Sequence, residues 1–209
     1  MPLPAETFKV FISHATAEDG NLVNWMADAL DRLHIRAYVY ERYLMGGRNR
    51  FELIKSMILA CPYFLVVLTK DGIRSQWVNQ EIGYAVGMGK NLIPIIEVDN
   101  FTGRRLDSKG FIELHDSINY YRNKDIELMA DVIYTLKNYL SFEGKWRDSI
   151  FLSCKCGNEF EGQLQFSRNW EIFLSNTTQA PFEIWWPCDI CQRKITISFP
   201  DCHLLPQTY

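Results

Sequence analysis

The hexapeptide Tyr63-Phe64-Leu65-Val66-Val67-Leu68 is apolar at every position. A strand with one wet face alternates apolar and polar side chains, so an unbroken run of this length belongs in a sheet covered on both faces. Shorter, largely apolar runs occur at Lys9 to Ile12, Ala37 to Tyr40 and Leu92 to Ile96, and Ser117 to Arg122 offers a fifth strand. Between them lie segments with helical periodicity. Leu22, Met26, Leu30 and Leu33 form one stripe, behind an N-cap at Thr16 with Glu18 and Asp19 in the first turn. A second helix is expected from about Asn49 to Ala60 with Phe51, Ile54 and Ile58 inward, stopped by Pro62. A third, capped by Ser75, carries Trp77, Glu81 and Tyr84, and a last one carries Ile126, Met129, Ile133, Leu136 and Leu140. Alternating strands and helices predict an α/β fold, a flavodoxin-like doubly wound five-stranded parallel sheet, whose ligand site lies beyond the carboxyl ends of the strands.

Helical periodicity stops after residue 140. Short alternating segments replace it at Phe160 to Phe166, Trp170 to Leu174, Phe182 to Trp186 and Lys194 to Phe199. The expected division is an α/β unit over residues 1–143 and a small antiparallel β unit over 144–209. Five of the six cysteines fall in the second unit. The opening MPLPAETFKVFISHA has no basic segment followed by an apolar run, so it does not read as a signal peptide. The chain is therefore expected to be soluble and cytoplasmic, where close cysteine pairs favour metal over disulfides. Cys154-Lys155-Cys156-Gly157 and Cys188-Asp189-Ile190-Cys191 make two knuckles. Four thiolates from two turns form a closed tetrahedral site for structural zinc, and the arrangement resembles a zinc ribbon. The one-residue spacing of the first knuckle leaves Cys202, or His203, as an alternative ligand to Cys154.

Net charge is −3 and the pI about 5.8. Duplex binding needs a basic excess to displace counterions, and the tail has no basic cluster interleaved with aromatics, so nucleic acid is not the expected ligand. No apolar run approaches membrane-spanning length. No G-x-G-x-x-G follows the first strand and no P-loop is present, which argues against a nicotinamide-dependent dehydrogenase or an NTPase. Trp170, Trp185 and Trp186 either build the core of the tail or present a surface to a protein partner.

Four segments, in order, resemble the TIR (Toll/interleukin-1 receptor) family. They are Val10-Phe11-Ile12-Ser13-His14-Ala15; the loop from Tyr40-Glu41-Arg42 to Gly46-Gly47; Leu65-Val66-Val67-Leu68-Thr69 with Ser75-Gln76-Trp77-Val78-Asn79-Gln80-Glu81; and Leu92-Ile93-Pro94-Ile95-Ile96. The match runs over residues 7 to about 140. Two glycines close the loop after the second strand, where the family usually has one, and Glu41 stands near the family's usual Asp. The family holds both NAD-cleaving enzymes and adaptors without activity. The acidic residue four positions after the tryptophan carries catalysis in the enzymatic branch, and here it is Glu81.

The resemblance thus implies an NAD glycohydrolase or cyclase of the prokaryotic, defence-signalling kind, with NAD as substrate and self-association through the TIR unit. The alternative is a non-catalytic adaptor that recruits a protein partner through its zinc ribbon. A related nucleoside deoxyribosyltransferase, also using a glutamate, is disfavoured by the Ser75-x-Trp77 element. Cleaving the nicotinamide–ribose bond releases neutral nicotinamide, so no general acid is required. One carboxylate placed against the ribosyl cation suffices, in contrast to the two of ordinary glycoside hydrolysis. Glu81 is assigned that role. Phe11, Ser13, His14, Arg42, Gly46, Gly47, Trp77 and Tyr84 are the expected substrate-binding residues. Cys154, Cys156, Cys188 and Cys191 are the expected zinc ligands.

Overall fold

In the computed structural model, residues 8–15, 17–43, 49–107, 110–142, 149–163, 182–199 and 203–204 are described. Five strands form one parallel sheet: β1 (Phe8–Ser13), β2 (Ile35–Tyr38), β3 (Tyr63–Leu68), β4 (Asn91–Val98) and β5 (Ile118–Tyr121). Their spatial order is β2-β1-β3-β4-β5, the flavodoxin-like order, in which successive crossovers leave in opposite directions from β1 and β3. Helices α1 (Ala17–Arg32) and α5 (Asp125–Phe142) cover one face, and α2 (Arg50–Ala60) and α4 (Gln76–Gly87) cover the other. A short helix, α3 (Lys70–Arg74), lies between β3 and the Ser75 cap of α4.

The apolar hexapeptide is buried along its whole length, as two-sided cover requires. Its alternate side chains serve different cores. Tyr63, Leu65 and Val67 pack with α1 and α5, whereas Phe64, Val66 and Leu68 pack with α2 and α4. The expected stripe of α1 is buried throughout, and Asn49 and Ser75 cap α2 and α4 as side-chain acceptors. Thr16, the expected cap of α1, lies outside the described residues. Phe51 corrects the reading of α2. It is 47% exposed, because the buried stripe runs through Ile54, Met57 and Ile58 and Phe51 sits at its rim under the Lys55 ammonium.

Beyond α5 come two small antiparallel sheets. One pairs β6 (Ser149–Ser153) with β7 (Glu159–Gln163). The other has the order β10-β9-β8, built from β8 (Phe182–Pro187), β9 (Lys194–Phe199) and β10 (His203–Leu204). The expected segment Trp170 to Leu174 and the expected unit boundary at 143/144 lie outside the described residues. Ile150, Leu152, Ile195 and Ile197 are fully buried and continuous with the α1–α5 core. His34 marks the seam. It follows α1 in the left-handed conformation (φ 62°), which a β-carbon disfavours, and its Nε2 lies 3.3 Å from Ser149 Oγ on β6.

Candidate functional site

Parallel strands place their carboxyl ends on one edge, and β1 ends there in Ser13 and His14. The helix α4 brings Glu81 to the same edge, because Ser75 starts it just after α3 and Trp77 and Glu81 then share one of its faces. The result is a cavity of about 200 Å3. Phe11, Ile12, Ser13, His14 and Ala15 of β1 and its exit form one side, and Tyr40 and Glu41 form a second. Arg50, Trp77 and Glu81 complete it.

Glu81 is 7% exposed and has no cationic partner within salt-bridge distance among the described residues. Ser13 Oγ donates to its Oε2 at 2.5 Å. Burial disfavours the carboxylate and pushes its pKa up to about 7, against the opposing pull of the Ser13 hydroxyl and the Trp77 indole N–H. Above Glu81, His14 Nε2 lies 3.2 Å from Glu41 Oε2, and the pair holds the Glu41 carboxyl below its ordinary range. Both His14 ring nitrogens are buried without a hydrogen-bond partner among the described residues, and Nδ1 also lacks an ion-pair neighbour. A buried orphan polar atom beside a cavity marks a place where a ligand or water completes the bonding.

The structure therefore brings together Phe11, Ser13, His14, Trp77 and Glu81. Tyr84 stands one turn further along α4. It lines a smaller, apolar hollow of about 30 Å3 between α2 and α4, whose walls include the far sides of Trp77 and Glu81. Arg42 is turned away. Its guanidinium bonds Asn24 and pairs with Asp28 at 2.9 Å on α1, outside the cavity. Gly46 and Gly47 lie outside the described residues. Tyr40, Glu41 and Arg50 reach the cavity without having been expected there. For Arg50 the signal was its place in the first turn of α2, directly after the loop that follows β2.

Cys154, Cys156, Cys188 and Cys191 form a second constellation, with all four sulfurs within 4.8 Å of one another. Cys154 and Cys191 are 3.5 Å apart, and Cys156 and Cys188 are 3.7 Å apart. A tetrahedral ion with Zn–S bonds of about 2.3 Å sets its sulfurs about 3.8 Å apart, so the spacing fits zinc. Each knuckle is closed by its own backbone. Cys154 N bonds Asn158 O, with Gly157 at φ 87°, and Cys188 N bonds Arg193 O, with Gln192 at φ 57°. Backbone N–H groups of Cys191 and Ile190 and the Asn158 amide draw the Cys188 thiol below its usual range, towards the thiolate that a metal binds. The one-residue spacing of the first knuckle thus does not exclude Cys154 from the cluster, and Cys202 lies outside the described residues. Cys61 is different. It is buried, and its thiol is pushed up to about 12, which suits packing and not reactivity.

Residues 10–129 match the family model described as TIR domain. The 2′ cyclic ADP-D-ribose synthase AbTIR of Acinetobacter baumannii (strain 1295743) is 29% identical over 91 residues, which is 44% of this chain and 34% of that protein. The chain thus spans about a third of that relative's length. Among solved structures, the TIR domain of the Toll-related receptor TRR-2 from Hydra magnipapillata superposes with a TM-score of 0.48 at 20% identity, covering 62% of this chain and 98% of that one. The CMP N-glycosidase BcmB of Clostridium botulinum gives 0.42 at 15% identity, covering 60% and 98%.

Proposed function

Starting from a chain that belongs to the TIR domain family, we propose that it cleaves the nicotinamide–ribose bond of NAD, with Glu81 as the catalytic carboxylate. The observation that carries this reading is a lone buried carboxylate, held by Ser13, at the floor of a cavity at the strand carboxyl ends. The similarity to a protein named as a cyclic ADP-ribose synthase supports the same chemistry.

The bond to be broken joins the ribose to a pyridinium nitrogen. Its electron pair leaves with nicotinamide, which becomes neutral, and positive charge develops on the ribosyl carbon. The Glu81 carboxylate, accepting from the ribose hydroxyls, stabilises that charge in a site shielded from water. A pKa near 7 leaves the empty site partly protonated at neutral pH. The cationic ring of the substrate favours the ionised form, so binding and ionisation support each other. Phe11 and Trp77 supply apolar and aromatic wall, and the orphan Nδ1 of His14 is free to bond the carboxamide end. Water attacking the cation gives ADP-ribose and a proton; an adenine nitrogen or ribose hydroxyl of the same molecule gives a cyclic isomer. Pockets that enclose most of a ligand run to roughly 300–1,000 Å3. A cavity of about 200 Å3 takes one end of the dinucleotide, which fits a site completed when TIR units associate. The role proposed for this activity is prokaryotic defence-type signalling.

The four-cysteine cluster is proposed to hold one structural zinc, which leaves no open coordination position. The chain is proposed to divide into a TIR unit (1–143) and a zinc-ribbon unit (144–209), with the ribbon available to a protein partner. Among the described residues, no helix is long and apolar enough to cross a membrane.

Purified protein at high concentration, incubated with NAD beside Glu81→Ala, tests the activity. Nicotinamide release that disappears in the folded variant supports it, and the second product separates hydrolysis from cyclisation. No release at any concentration favours the adaptor.

A further inference from the structure

Arg50 is the one residue with a permanent positive charge among the described residues that line the cavity. Its guanidinium carbon lies over the Tyr40 ring, 4.7 Å from the centroid, and over the Trp77 ring at 4.8 Å. Both contacts are to ring faces, which orient a planar cation without using its N–H donors. Glu41 is near enough to feel the charge but does not form an ion pair with it, and no hydrogen bond from the Arg50 side chain is made within the described residues. Five donors are therefore held in a fixed plane with no acceptor assigned to them.

Position decides what they would accept. Glu81 and Ser13 are buried at the floor, whereas Arg50 is exposed at the rim, in the first turn of α2. The phosphates of a dinucleotide are too polar for the buried floor and need the solvent-facing part of the site, which is where Arg50 lies. A cationic fork with unspent donors matches phosphate oxygens better than any neutral part of the ligand.

The geometry points to Arg50 as the residue that binds the diphosphate of the dinucleotide, with Tyr40 and Trp77 as the aromatic clamp that aims it. This rests on the proposed NAD cleavage for its substrate, and it makes Arg50 a determinant of specificity: the site prefers a phosphorylated nicotinamide nucleoside to the bare riboside. Trp77 then has two functions, as a wall of the floor and as one jaw of the clamp.

Two measurements on the full chain test this. In the first, kcat/KM is measured for NAD and for nicotinamide riboside with wild type and Arg50→Gln. The variant is expected to lose on the order of tenfold or more on NAD, chiefly through KM, and several-fold less on the riboside, as loss of one charge-assisted contact to the diphosphate predicts. An equal loss on both substrates would show that Arg50 merely shapes the pocket. A lower KM in the variant would show that Arg50 blocks the cavity. Either result overturns the assignment. The second measurement is calorimetric titration with ADP-ribose, which needs no turnover. Affinity about tenfold weaker in Arg50→Gln, with Arg50→Lys between, upholds the assignment even if no nicotinamide is released by wild type, in which case only the proposed activity fails. Equal affinities, or no binding by wild type, overturn it.

Discussion

Ser13 and Glu81 are 68 positions apart in the chain and joined by one hydrogen bond of 2.5 Å. Ser13 ends β1 and Glu81 lies inside α4, so the bond joins the helix to the sheet edge at the floor of the cavity. It also favours one protonation state, because a hydroxyl donating to a carboxylate stabilises the charged form.

The expected consequence is a displaced pH profile. With Glu81 titrating near 7, kcat/KM for NAD should rise with pH through about 7 and level off above it. Ser13→Ala removes a bond of the charge-assisted class, worth roughly 1.5–3 kcal/mol. The rising limb should then move upward by on the order of one pH unit. A profile of unchanged midpoint in Ser13→Ala would mean that the hydroxyl does not set the ionisation of Glu81.

The same burial has a cost in stability with a defined sign. The folded pKa of Glu81 is raised from 4.5 to about 7, so the folded state holds its proton more tightly than the unfolded chain. Stability from this group is greatest below pH about 4.5 and falls as pH rises towards 7. The difference amounts to on the order of 3 kcal/mol at pH 8. Glu81→Gln, neutral at every pH and still able to accept from Ser13, should melt above wild type at pH 8. The gap should close as pH is lowered towards 4.5. Parallel Tm curves for the two proteins across that range would refute the assigned burial cost.

Much of this site is legible in the sequence. Continuous apolar strands announced a sheet covered on both faces, and the Ser75-x-Trp77-x-x-x-Glu81 spacing put two site residues on one helical face. Phe11, Ser13 and His14 followed from their place at the end of β1. What stayed hidden depended on which way a side chain turns. Arg42 looked like a cavity residue but is drawn to Asn24 and Asp28 on α1, and Arg50, eight positions on, reaches the cavity because Tyr40 and Trp77 offer it ring faces. Phe51 matched the apolar period of α2, yet the buried arc is too narrow to include it. His34 gave no sign in the sequence of its left-handed backbone or of its side-chain contact with Ser149, 115 positions away.

For the cysteine cluster, the expected composition is one zinc per chain. Cys188 is fully buried within the core that continues into α1, so loss of the metal should be felt beyond the knuckles. Cys188→Ser should abolish bound zinc and lower Tm by roughly 10 °C, equivalent to about 3 kcal/mol in a chain of this size. Cys61→Ser, away from the cluster, should keep its zinc. Metal analysis of the two purified variants separates these outcomes, and equal zinc contents would remove Cys188 from the ligand set.

Gly162 tests how the two small sheets are held together. It sits on β7, where an added β-carbon would lie 2.7 Å from Trp186 Cε2 on β8 and 2.8 Å from Leu152 Cδ1 on β6. The Trp186 ring thus rests on a patch that only a missing side chain leaves open, and the two cysteine knuckles are carried by the strands on either side of this contact. Gly162→Ala would force the ring or the fully buried Leu152 to move, at a cost of about 1–3 kcal/mol for overpacking. Because the displaced strands lead directly into Cys154 and Cys188, the variant should also release zinc to a chelator faster than wild type does. Urea unfolding followed by a colorimetric zinc indicator reads both effects in one experiment. A variant that unfolds earlier while releasing zinc at the wild-type rate would show that the Trp186–Gly162 contact stabilises the sheets without positioning the cysteines.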